Sequence, residues 1–295
     1  MSAALMLILQ AMTKMRTNRF LLLLLGLVLI IITQSCDPYN KVLKNPDLNF
    51  KYKMAQQYYY QGSYYRAQPL LEELITAFRG SDRAEDVYYL YSWCDYHLKA
   101  YSLASFHFKN FSTSFPTSKR VEDMDFMYAY CLYLESPNFS LDQISTRKAL
   151  EAFQLFVNKH PSSSRIGECN RMMDIMRAKL EHKSVESALL FYRMEDYRAA
   201  AVMLRNTLSD YPDIDEREYL SFLVVKSYYN LAQNSIEVKK EERFNETIRQ
   251  FQELKEDYPN SAFLKEATSY ATKARQELQK LAEKPPVPLQ PKVIN

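Results

Sequence analysis

Tyr101-Ser102-Leu103-Ala104-Ser105-Phe106-His107-Phe108-Lys109-Asn110-Phe111-Ser112-Thr113-Ser114-Phe115-Pro116 is the stretch whose reading decides the fold. Ala104, Phe108 and Phe111 follow at intervals of four and three, the spacing of one apolar face of an α-helix. Pro116 closes that helix, because proline offers no backbone donor to the next turn. The same order returns along the chain. Small residues stand at Ala67, Ala104, Ala149, Ala200 and Thr247, and eleven residues after each come Phe78, Phe115, His160, Tyr211 and Tyr258, followed by proline in every copy but the first. Four and seven residues after the small one lie Leu71 and Leu74, Phe108 and Phe111, Phe153 and Phe156, Leu204, then Phe251 and Leu254; Thr207 is the exception. Tyr64, Tyr101 and Tyr197 each stand three residues before it.

This order of aromatic, small, apolar and aromatic-proline resembles the second helix of a tetratricopeptide repeat. Partner helices are predicted at Met54 to Tyr60, Val87 to Leu98, Asp125 to Leu134, Arg171 to Arg193 and Glu218 to Ala232. From the numbers of successive small residues, the copies lie 37, 45, 51 and 47 apart. Insertions at Ser136 to Ser145 and Gln233 to Arg243 take up the excess over the family's usual length as surface turns. Period-two alternation bounded by glycine turns is absent, so the fold class is all-α. A superhelical array of about five tetratricopeptide-type hairpins is expected over residues 47–283, with a concave face for a peptide or partner domain. Pro285, Pro286, Pro288 and Pro291 mark 284–295 as a Pro-rich tail.

The N-terminus reads as an export signal. Lys14, Arg16 and Arg19 precede an apolar run from Phe20 to Ile32, and Thr33-Gln34-Ser35 then leads to Cys36. The run has 13 residues, short of the roughly 20 that span a bilayer. Ser35-Cys36 resembles a bacterial lipobox with Thr33 in place of the usual leucine. Residues 1–35 are therefore expected to be a lipoprotein signal peptide, Cys36 the lipidated residue, and 36–46 a lipidated tether. Lys14, Arg16 and Arg19 are the whole excess of basic over acidic residues, so the mature chain is neutral. A nucleic-acid partner would want a clustered basic surplus, and none is expected. An odd set of three further cysteines, Cys94, Cys131 and Cys169, with apolar neighbours, reads as buried small residues and not as a disulfide framework.

The residues for catalysis do not assemble in the sequence. A phosphate loop needs clustered glycines, whereas Gly62, Gly80 and Gly167 are scattered. His97, His107, His160 and His182 form no paired zinc motif, and Cys94 with His97 has no second pair to complete a metal site. No enzyme activity, catalytic residue, metal or cofactor is expected. Tyr58, Tyr59, Tyr60, Tyr64 and Tyr65 crowd the first repeat, divided between core packing and protein recognition.

Three strings resemble the BamD family, the lipoprotein subunit of the outer-membrane β-barrel assembly machinery: Tyr64 to Leu74, Phe126 to Leu132, and Asp142 to Phe156. With the Ser-Cys start, the resemblance runs from Cys36 to about Leu281. It implies a periplasm-facing, lipid-anchored scaffold on the cell outer membrane. Its partners would be a BamA-like barrel protein with the other assembly-complex subunits, and unfolded outer-membrane proteins. Partner-binding roles are implied for Tyr58, Tyr64 and Tyr65 in the receiving half and for Arg217 in the docking half. Asp37, beside the lipidated cysteine, resembles the inner-membrane retention signal of enteric bacteria and is the one departure. The alternative is another repeat-containing envelope lipoprotein, an adaptor in cell division or nutrient uptake.

Overall fold

In the computed structural model, which describes residues 39–283, each aromatic or histidine that precedes a proline ends a helix by leaving helical backbone. Phe115, His160, Tyr211 and Tyr258 have φ of −127°, −124°, −128° and −133° and ψ between 59° and 81°, outside the α region that the following ring disfavours. No proline follows Phe78, and there Gly80 completes the turn at φ +78°, a conformation that a side chain would strain.

All regular structure among the described residues is helical, and the chain divides into two compact units at Glu135 and Ser136. The first unit holds α1 (Tyr39–Leu43), α2 (Leu48–Tyr60), α3 (Tyr64–Ala77), α4 (Ala84–His97), α5 (Tyr101–Ser114) and α6 (Val121–Leu134). The second holds α7 (Ile144–Lys159), α8 (Ile166–Arg193), α9 (Tyr197–Asp210), α10 (Arg217–Gln233), α11 (Glu237–Asp257) and α12 (Leu264–Ala282). Within each unit every helix packs on the next, while α2 also touches α4 and α10 also touches α12. Contact between alternate helices, on top of hairpin contact, is the packing of a tetratricopeptide-type stack.

The repeat residues explain that packing. Ala67, Ala104, Ala149, Ala200 and Thr247 are wholly buried, which lets two helix backbones approach where they cross. Leu71, Leu74, Phe108, Phe111, Phe153, Phe156, Leu204, Phe251 and Leu254 are buried as well, each removing from water an area worth about 2 kcal/mol. Thr207, the polar exception, is buried too, and its hydroxyl meets that of Ser184 at 2.7 Å. The bond satisfies a group that would otherwise be desolvated for nothing.

Three turns between hairpin helices share one closure. At the end of α2, the Gly62 and Ser63 amides donate to the Tyr59 and Tyr58 carbonyls at 2.9 and 2.8 Å, with Gly62 left-handed at φ +74°. Lys99 and Glu195 hold the equivalent places at φ 61° and 59° with a Cβ to accommodate. Lys99→Gly and Glu195→Gly are therefore expected to raise stability by about 0.5–1 kcal/mol each. A thermal midpoint that falls in both variants would refute this reading of the turns.

The structure corrects several boundaries. Part of the segment expected as tether, 36–46, is helix α1, held because Val42 is buried against the first hairpin. Asp47 then starts α2 by accepting from the Asn49 amide at 2.8 Å and the Phe50 amide at 3.2 Å. The insertion at Gln233 to Arg243 is mostly helix, since α11 begins at Glu237. The insertion at Ser136 to Ser145 is a turn clamped from α8, where Lys183 donates to the carbonyls of Phe139 and Leu141 at 3.0 and 2.9 Å. Beyond the five predicted hairpins, α12 covers α10 and α11 with Ala267, Ala271 and Ala274. The signal peptide, Cys36, Asp37 and the tail 284–295 lie outside the described residues.

Candidate docking surfaces

In the first unit, α3, α4 and α5 surround Asp95, a carboxylate with no exposure at all. Gln68 of α3 donates to its Oδ1 at 2.5 Å. His107 of α5 brings Nε2 to 3.7 Å from Oδ2, which has no hydrogen-bond partner. The other ring nitrogen, Nδ1, lies 3.1 Å from the Tyr88 hydroxyl. Burial pushes the Asp95 carboxyl up to about 6, with Gln68 opposing and the Glu72 charge adding to the rise. The same burial pushes His107 down and the Tyr88 hydroxyl up. Tyr88 also lines an open cavity of about 590 Å³ with Ile75, Arg79, Ser81 and Phe115.

Chemistry at these groups is disfavoured by their own environment. Desolvation pushes the thiols of Cys94 and Cys131 up to about 12 and that of Cys169 to about 11, so none is a thiolate at neutral pH. All three cysteines are buried and free. His97 lies flat on Tyr64, with ring centroids 4.1 Å apart and planes 12° apart. Among the described residues no group of three or more His, Cys, Asp or Glu gathers as a metal site.

The tyrosines of the first repeat part company. Tyr58 is 8% exposed and belongs to the core. Tyr64 is half-buried against His97, whereas Tyr65 is 62% exposed and Tyr60 76%. Helical periodicity explains the split, since Tyr58 shares the inward face of α2 with Ala55.

In the second unit, α9, α10 and α11 frame two clefts of about 220 and 280 Å³ that share Arg205. One has Arg217, Ser221, Glu253 and Asp257 in its wall, the other Arg198, Tyr228, Arg243, Glu246 and Arg249. Glu246 is held below the usual carboxylate range, first by its hydrogen bond from Arg249 and further by the Arg249 and Arg205 charges. The lining is thus mixed in sign and polar, suited to a charged protein surface. Sequence reasoning named Arg217 and missed the rest of this lining. Its signal was the charged stripe of α11 at Arg243, Glu246, Arg249 and Glu253, spaced by three and four.

Arg217 begins α10 and donates through Nη1 to the Leu208 carbonyl at 2.6 Å and the Pro212 carbonyl at 3.3 Å. It therefore ties down the end of α9 as well as facing a cleft. Arg217→Ala is expected to lower stability by about 1 kcal/mol, read as a loss of urea midpoint. An unchanged midpoint would leave the arginine free of that structural duty.

Comparison with known proteins places this architecture. The YfiO family model, described as outer membrane lipoprotein, matches residues 46–213 and 185–284. No curated protein matches the chain. Among solved structures, a human IFIT1 dimer with PPP-AAAA is similar at 17% identity over 81% of this chain and 60% of that one, with a TM-score of 0.24. A monomeric IFIT1 mutant with a capped RNA is similar at 16% identity over the same shares, also at 0.24. The chain spans about 60% of the length of those structures, and at that score they carry no argument here. Among the described residues no helix is long and apolar enough to cross a membrane.

Proposed function

The chain belongs to the YfiO family of outer membrane lipoproteins, and from that membership we propose that it is the scaffold lipoprotein of an outer-membrane β-barrel protein assembly complex. It is anchored through acyl chains on Cys36, faces the periplasm, docks on a BamA-like barrel protein and helps receive and insert outer-membrane proteins. Acyl chains supply stable attachment where no described helix can.

The observation that carries the reading is that the family match covers every complete hairpin from α2 to α12. The second unit supports docking through the mixed-charge clefts around Arg205, where opposite charges on a folded partner would find complements. The first unit supports reception of extended clients through the open cavity beside Tyr88 and Phe115, which offers aromatic and apolar wall to a side chain. Nothing in the thiol or histidine environments favours an enzyme, and the protein acts by holding others.

Affinity purification after mild detergent extraction should recover a BamA-like barrel protein, and depletion should lower the levels of outer-membrane barrel proteins. Repeated purification without such a partner, together with unchanged barrel levels, would overturn the proposal. It would then favour an adaptor in division or uptake.

A further inference from the structure

We propose that the turn between α2 and α3, with Tyr60, Tyr65 and Arg66, is a membrane-interface contact that lies on the lipid headgroups. This rests on the acyl anchor at Cys36 proposed above. From Cys36 to Tyr39 is three residues, a reach of at most about 11 Å. Tyr39 already belongs to the fold. Its ring meets the Tyr58 ring edge-on at 5.7 Å, and Val42, one turn on, is buried. The headgroup layer is itself about 5–7 Å deep on each side of the bilayer. An anchor so close leaves the start of α1 no room to stand away from the surface.

The residues nearest that point suit such a surface. The Arg66 guanidinium lies 5.9 Å from the Tyr39 ring and 5.4 Å from the Tyr65 ring, so these form one continuous patch. Tyr65 and Tyr60 are the most exposed aromatics of the first repeat, at 62% and 76%. Lys41 on α1 and Lys44 just after it are exposed as well. Tyrosine with an apolar body and polar tip, beside long cations, is the composition that settles at headgroup level. Two rings left in water by a protein that buries so many others are explained if lipid covers them.

The test uses the full lipidated protein reconstituted in vesicles of phosphatidylethanolamine and phosphatidylglycerol with brominated acyl chains. Tyr60→Trp and Tyr65→Trp are compared with Val238→Trp, a site in the second unit that is 78% exposed; half-buried Trp93 is a common background. Emission from positions 60 and 65 should be quenched roughly twofold or more relative to the Val238 variant. Insertion of a long Gly-Ser segment after Pro38 should remove the difference. Protein that floats with the vesicles but shows equal quenching at all three positions overturns the contact alone. Protein that fails to float overturns the anchor, and the contact with it.

Discussion

Phe108→Ala is expected to cost the first unit about 3–5 kcal/mol, the loss of a fully buried ring and the cavity it leaves. Phe108 has no exposure, and its ring stands edge-on to Trp93 at 5.4 Å across the α4–α5 contact. Trp93 is held from collapsing into the gap, because it is also packed against Tyr96 and His97. The control is on the same helix. Phe106 is 58% exposed, and Phe106→Ala should change stability by no more than about 0.5 kcal/mol. The chain contains one tryptophan, which lies in the first unit, so its fluorescence during urea unfolding reports that unit. Similar losses from both substitutions would mean that the helix is turned differently about its axis.

Asp95 should make the first unit less stable as pH rises. The folded carboxyl titrates at about 6 against an ordinary 3.8, so the folded state holds its proton more tightly than the unfolded chain. The stabilising contribution of the protonated form is complete below about pH 4 and is lost as pH climbs through about 6, a change of roughly 3 kcal/mol by linkage. Gln68 and Glu72 from α3, His107 from α5, and Tyr88, Tyr91 and Cys94 on its own helix are the polar and titratable groups around it. Glu72 repels the carboxylate and His107 is held neutral by burial, so neither rescues the charge. Asp95→Asn keeps an acceptor for Gln68 and removes the charge. At pH 7.5 it should be more stable than the parent by up to about 3 kcal/mol, with the advantage vanishing near pH 4. A variant less stable at pH 7.5 would show that His107 pairs with the carboxylate after all.

Much of the fold is legible in the chain because helix packing there is a local pattern repeated. Ala104, Phe108 and Phe111 lie on one face by spacing alone, and Pro116 ends their helix by covalent geometry. The candidate surfaces are less legible. Tyr58 and Tyr65 look alike in the sequence, yet one is core and the other solvent-facing, since Tyr58 falls on the inward face of α2 and Tyr65 on the outer face of α3. Arg217 read as a contact residue and also ties off α9, because its reach to the Leu208 carbonyl depends on how a loop folds back.

The sequence by itself determined the helical class, the five small-residue crossings, the aromatic-proline closures and the buried state of the cysteines. Each follows from periodicity, backbone sterics or composition, which act over a few residues. Tertiary structure alone decided that α1 docks on the first hairpin, that α12 covers the last one, that Asp95 is enclosed by three helices, and that Arg205 is shared by two clefts. These depend on which surfaces meet across long stretches of chain, and side-chain spacing within one helix holds no record of its neighbours.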